Sequence, residues 1–190
     1  MVADPIGAPT LRRIDAASAR PVWVNVWIPA QTKPGVYQGT VTVSGSNFAT
    51  QRLRLQVEVT ANTLPAPKDW AYHLDLWQNP YAVARYHNVP LWSKAHFDAM
   101  RPLMRMLADA GQKAITTSIM HMPWNGQTED IYTSMVFRMK RMDGTWSFDY
   151  TVFDKWVEFM LHDVGIDGII SCYTMIPWAL KFDYFDQASN

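Results

Sequence analysis

Very little in this chain invites a covalent, metallic or electrostatic explanation. There is a single cysteine, Cys172, which excludes an internal disulfide and a cysteine-based zinc site. The net charge is zero, seventeen basic against seventeen acidic residues, so there is no basic footprint for nucleic acid or an anionic membrane. No run of about 18 apolar residues exists, which leaves no helix to cross a bilayer. The start, Met1 to Pro5, lacks the basic and apolar segments of a signal peptide. The five histidines (His73, His87, His96, His121 and His162) show no ligand spacing on one helical face, so no metal is expected. There is no dinucleotide fingerprint, no phosphate loop and no serine nucleophile elbow, and no cofactor is implied. Cys172 reads as a small buried strand residue rather than a nucleophile.

What the chain has is hydrophobic residues, 48%, and aromatic rings: nine Trp, eight Tyr and eight Phe. That content is enough to fold, because the buried apolar surface offsets the entropy of ordering. Such rings build cores, and they also build surfaces that bind sugars.

Organisation changes near residue 65. Residues 21–28 alternate, with Val22, Val24, Val26 and Ile28 on one face and Trp23, Asn25 and Trp27 on the other. Lys33-Pro34-Gly35 is a turn signal before a second strand over 36–43, and 52–59 is the cleanest alternation, with Leu53, Leu55, Val57 and Val59 inward. Residues 1–61 therefore read as part of an antiparallel, immunoglobulin-like β-sandwich, incomplete because such a fold wants about seven strands. Residues 62–68, with Pro65 and Pro67, read as a proline-rich linker.

Beyond it strands and helices alternate. A strand is expected over 70–77 and a helix from the Ser93 cap through Phe97, Met100, Met104 and Leu107, with Pro102 awkward inside it. A buried strand follows over 113–119, then a hairpin around Asp143-Gly144. Phe153, Trp156, Val157 and Met160 mark the next helix, and 166–173 the last strand. Gly111 and Gly165 stand where a helix C-cap is wanted. The fold class is α/β: about three βα units of a partial (β/α)₈ TIM-like barrel over 69–190, since a full barrel needs roughly 250 residues. An open half-barrel is expected to expose the inner faces of strands such as 115–119, and so to self-associate.

In such folds ligands bind beyond the carboxyl ends of the strands. Those ends carry Asp75 and Trp77, then His121 and Trp124, then Tyr173 and Trp178. Indole faces beside amide, hydroxyl and imidazole groups suit an oligosaccharide or glycan. The alternative is that the tryptophans merely cover the core. Catalytic carboxylates are scarce, because the only glutamates are Glu58, Glu129 and Glu158. Glu58 falls on an outward strand face, Glu158 on a polar helix side, and Glu129 with Asp130 in a loop where solvation is the ordinary role. Asp75 is the one carboxylate at a strand end, suited either to a sugar hydroxyl or to capping the loop at Asn79-Pro80. No residue of this chain is assigned a catalytic role.

Several stretches resemble glycoside hydrolase family 123 and its bacterial relatives. They are 20–29 (RPVWVNVWIP), 33–43 (KPGVYQGTVTV), 64–67 (LPAP), 73–80 (HLDLWQNP), 110–112 (AGQ), Pro123-Trp124 with Gly126-Gln127-Thr128, and 176–178 (IPW). The resemblance implies a sandwich followed by a catalytic (β/α)₈ barrel acting on N-acetylhexosamine glycans, typically β-linked N-acetylgalactosamine. It implies a retaining, substrate-assisted mechanism in which the 2-acetamido oxygen attacks the anomeric carbon, an Asp steadies the amide and an adjacent Glu is acid, then base. That Asp-Glu pair is expected beyond residue 190, so the chain reads as an inactive fragment of a glycosidase. A periplasmic or secreted location follows from family habit. The alternative is a non-catalytic glycan-binding or scaffold protein of the same architecture, and a third reading is a structural domain whose tryptophans are all core.

Overall fold

The computed structural model describes residues 13–124, 128–174 and 181–189. The chain separates into two compact units, Met1–Leu64 and Pro65–Asn190.

In the first unit, strands β1 (Gly35–Gly45) and β2 (Phe48–Val59) form one antiparallel hairpin, running in register from Gly35 opposite Val59 to Val43 opposite Gln51. Leu55, Val57 and Val59 are half-buried, but Leu53 is exposed. A two-stranded ribbon has too little facing surface to bury an apolar side completely. The strand expected over 21–28 is absent. That segment joins no ladder among the described residues, Trp23 and Trp27 are exposed, and the Trp23 indole N–H turns to the Asn25 side-chain oxygen, 2.6 Å away. Alternation reports which face each side chain prefers; it does not supply a backbone partner.

The second unit contains α1 (Pro80–His87), α2 (Lys94–Asp109), β3 (Ala114–Ser118), β4 (Phe137–Lys140), β5 (Trp146–Asp149), α3 (Thr151–Glu158), β6 (Ile169–Tyr173) and β7 (Phe185–Asp186). Helix α2 starts where its cap residue says it should, with the Ser93 hydroxyl accepting the His96 amide at 3.2 Å. It runs unbroken past Pro102. Helix α1 falls where a loop was expected. Asn79 caps it by accepting the Ala82 amide at 3.0 Å, Pro80 occupies the first turn, and Asn88 closes it in the left-handed conformation at φ 51°. Helix α3 continues as a π-helical turn over Phe159–Val164, closed by Gly165 at φ 90°.

Strands β3 and β6 pair in parallel from Ala114 opposite Ile169 to Ser118 opposite Tyr173. Every residue of β3 is buried, contrary to the expectation of an open inner face. On the helix side the Ile115 side chain joins Met100, Met104, Met135, Trp156, Val157 and Met160 in one core, and the Trp156 indole donates to the Thr116 carbonyl at 2.9 Å. β6 is far more open, with Ile169 55% exposed, and Cys172 is exposed rather than buried. A three-stranded sheet, β5-β4-β7, stands apart from this pair, with β4 antiparallel to β5 and parallel to β7. The architecture is mixed α/β, and no closed barrel forms among the described residues.

The strand expected over 70–77 is also replaced. Only one parallel bridge, Leu74 with Gln112, is made there. Two buried glutamines connect the rest. The Gln112 amide accepts from Leu76 N at 2.9 Å and donates to the Leu76 carbonyl at 3.1 Å and the Ala114 carbonyl at 2.7 Å. The Gln78 amide accepts from Thr116 N at 2.7 Å and donates to the Ala114 carbonyl at 3.2 Å.

His96 is fully buried between two backbone groups. Its Nδ1 accepts the Trp92 amide at 3.0 Å, which leaves Nε2 as the protonated nitrogen, donating to the Pro80 carbonyl at 2.8 Å. Burial lowers its pKa from the ordinary 6.5, against a smaller opposing effect of the Pro80 carbonyl. The unfolded chain therefore binds a proton that the folded chain refuses. The stabilisation is full above about pH 6.5 and is lost as pH falls below it. Urea titrations between pH 7 and pH 5 should show stability declining with acid, and His96→Gln should flatten that slope; an unchanged slope would remove His96 from the account. Gly168 supplies a second expectation. A Cβ there would lie 2.1 Å from the Lys113 carbonyl oxygen, which accepts the Ile169 amide. Gly168→Ala should cost about 2 to 3 kcal/mol in the same titration.

Candidate functional site

The residues that follow the three parallel segments meet as a cluster of rings. Trp77 lies 5.3 Å from Trp124 and 5.2 Å from Tyr173, centroid to centroid, and Trp124 lies 4.9 Å from Tyr173. Trp124 also meets Tyr132 at 4.6 Å, Tyr132 meets Tyr81 at 4.9 Å, and Tyr81 meets Trp92 at 5.7 Å. Tilted and edge-on contacts at these distances are the favoured aromatic geometry. One aromatic wall thus runs from the strand ends to the start of α2.

Its members differ in what they can offer. Trp124 is buried, 6% exposed, and its indole N–H has no partner among the described residues. Trp77 lies over it and is 58% exposed. Its open surface is the one a ligand would meet. Tyr173 is half-buried, and its hydroxyl pKa is raised, first by burial and then by the nearby Asp75 carboxylate. Asp75 itself is exposed. The structure therefore brings Asp75, Trp77, Trp124 and Tyr173 together. His121 is exposed and makes none of the ring contacts, and Trp178 lies outside the described residues, as do 125–127.

Three contributors were not visible as site residues in the sequence. Tyr132 donates to the Gln78 carbonyl at 3.1 Å, and Tyr81 donates to the Thr133 carbonyl at 2.6 Å. Burial raises the pKa of both phenols, so they stay neutral and serve as donors. Asp130, read as solvated, is instead held by Arg85. Its two oxygens accept from Nε at 2.7 Å and Nη2 at 3.1 Å, while Glu129 adds a looser contact at 3.4 Å. The Asp130 hydrogen bond and charge in turn raise the Arg85 pKa. A bidentate pair of this kind fixes a loop; it leaves no free carboxylate for proton transfer. The signal for it was the Arg85 position in the last turn of α1, a helix the sequence reading did not anticipate.

Chemically the cluster offers an open indole, neutral hydroxyls and one nearby carboxylate. That suits a ligand with apolar faces and hydroxyl edges. It contains no glutamate of the second unit: Glu158 is exposed on α3, and Glu129 is paired with Arg85. Among the described residues no group of three or more His, Cys, Asp or Glu gathers as a metal site.

Trp77 is positioned by the residue after it. Gln78→Glu would turn both amide donations into a carboxylate facing the Ala114 and Leu76 carbonyls. The variant should lose about 3 kcal/mol at pH 8 and regain part of it at pH 5, where the buried carboxyl is protonated. Denaturant curves at the two pH values check this, and equal losses at both would contradict it.

Residues 77–190 match the catalytic domain of glycoside hydrolase family 123, and residues 1–45 match the N-terminal domain of that family. No curated protein matches this chain in sequence. A solved structure of a family 123 glycoside hydrolase from Clostridium perfringens, described for the details of glycolipid glycan hydrolysis, is 31% identical with a TM-score of 0.79. The match covers 85% of this chain and 30% of that one, so the chain spans less than a third of that relative's length. With well over half of its residues matching the catalytic domain, this chain belongs to glycoside hydrolase family 123.

Proposed function

We propose that this chain forms one side of the sugar cleft of a hydrolase acting on β-linked N-acetylhexosamine glycans, including those carried by glycolipids. The observation that carries the reading is the Trp77, Trp124 and Tyr173 cluster beside Asp75, at the carboxyl ends of parallel segments. In this reading α2, β3, α3 and β6 belong to a (β/α)₈ barrel, the first unit belongs to a sandwich, and the whole acts outside the cytoplasm. Trp77 stacks on the sugar ring, Trp124 supports it from beneath, and Asp75 and Tyr173 take hydroxyls. His121 and Trp178 extend the same rim.

The reaction proposed is substrate-assisted. The 2-acetamido oxygen attacks the anomeric carbon, the glycosidic C–O bond breaks, and an acid protonates the departing oxygen. Water then attacks the same carbon, the bond from that carbon to the acetamido oxygen breaks to restore the 2-acetamido group, and the water gives its proton to the residue that acted as acid. Neither glutamate of the second unit, Glu129 or Glu158, stands at the aromatic cluster, so the acid/base is assigned to a part of the protein outside that unit. The same fact favours glycan binding without hydrolysis as the activity of this chain alone.

Calorimetric titration with methyl β-N-acetylgalactosaminide should show binding, weakened about fivefold by Trp77→Ala, the worth of one stacked ring. An unchanged Kd would remove Trp77 from the site. The chain should release no phenol from a nitrophenyl β-N-acetylgalactosaminide; turnover would overturn the assignment of the acid/base elsewhere.

A further inference from the structure

The sheet β5-β4-β7 is built from the two excursions that follow β3 and β6, so it rises from the strand ends that carry the candidate site. Cross-strand pairs place Arg138 opposite Phe148 and Lys140 opposite Trp146, on one face, and Lys140 is in register with Asp186. The Trp146 ring lies 4.9 Å from Tyr184 and 6.3 Å from Phe182, and Phe148 lies 6.4 Å from Tyr150. All five rings are between 40% and 51% exposed. The sheet is anchored to the residue that follows β3. From it Arg138 donates to the Ile119 carbonyl and to Ser134 Oγ at 3.0 Å, and Ile119 N in turn donates to the Tyr173 carbonyl at 3.1 Å.

We propose that this aromatic face is a second glycan-binding platform, holding the sugars beyond the one that Trp77 receives; the inference rests on the function proposed above. Half-open rings interleaved with Lys140 and Asp186 present apolar faces and hydrogen-bonding edges together, as a sugar chain requires. The core of a protein interface would instead be depleted of charge. A lipid surface would need an apolar tip to enter it, whereas the hairpin tip is Arg141-Met142-Asp143-Gly144-Thr145, with charges on both sides of its one methionine. The ligand class is an oligosaccharide ending in a β-linked N-acetylhexosamine.

The test compares two probes on the full 190-residue chain by calorimetry: methyl β-N-acetylgalactosaminide and a tetrasaccharide ending in the same sugar. The tetrasaccharide should bind about tenfold more tightly, as one or two further stacked rings allow. Trp146→Ala should abolish that difference and leave the monosaccharide Kd unchanged, while Trp77→Ala should weaken both. Phe148→Ser, at the most open ring, provides the same comparison should Trp146→Ala fail to fold. If the monosaccharide binds and the tetrasaccharide binds no tighter, the platform is refuted and the function above stands. If neither binds, both are refuted. Sedimentation with phosphatidylcholine vesicles, or self-association on dilution, that Trp146→Ala abolishes without changing the tetrasaccharide Kd would overturn the platform in favour of a lipid surface or a second copy.

Discussion

The hydrogen bonds made by Gln78 and Gln112 across the edge of β3 are the constraint on which the site depends. β3 is buried along its whole length, so each of its backbone groups needs a partner away from water. On one edge β6 provides an ordinary parallel ladder. On the other, the chain over 74–78 makes a single bridge and leaves the Ala114 carbonyl and the Thr116 amide to two side chains. A primary amide can do this because it carries both a donor pair and an acceptor, as the backbone does. The arrangement frees the segment from strand geometry just where Trp77 must turn over Trp124.

The consequence reaches α1. Gln78 also supplies the carbonyl that accepts the Tyr132 hydroxyl, and Asn79 and Pro80 begin α1 directly after it. The Pro80 carbonyl then accepts from His96, and the Trp92 amide donates to the same imidazole. Between Trp77 and α2, therefore, nearly every polar group inside is satisfied by another inside group. The exception is the Trp124 indole N–H, unpartnered among the described residues. Such a network is costly to break at any one point, because each loss strands a second group.

Regular elements were legible in the sequence wherever one local rule sufficed. Ser93 with Phe97, Met100 and Met104 announced α2, Asp143-Gly144 announced the β4–β5 turn, and Gly165 announced the end of the helix after Trp156. Reading failed where the deciding partner was distant. Residues 21–28 alternate like a strand yet join no ladder among the described residues, and 70–77, which reads as a strand, has side chains in place of most of a ladder. Helix α1 was masked by its own proline: Asn79-Pro80 reads as a loop, although proline is at home in a first turn. The site was half legible for the same reason. Asp75, Trp77, Trp124 and Tyr173 stand at segment ends that periodicity identifies. Tyr81, Tyr132 and the Arg85–Asp130 pair belong to α1 and an irregular loop that it does not.

The aromatic residues show why composition alone could not separate core from surface. Trp156 is wholly enclosed and hydrogen-bonded to β3, Trp124 is enclosed beneath the site, and Trp77 and Trp146 are open. A tryptophan spent on a core needs neighbours on both ring faces, and a tryptophan that binds sugar needs one face covered and one free. Trp77 meets the second condition because Trp124 and Tyr173 pack on it while more than half of its surface stays in solvent. Trp146 meets it through Tyr184 and Phe182. Rigid backing on one side is what lets an exposed ring bind without first being ordered, since its rotamer is already set by its neighbours. In the binding proposed, the Trp124 and Tyr184 rings therefore matter to recognition even where they touch no ligand.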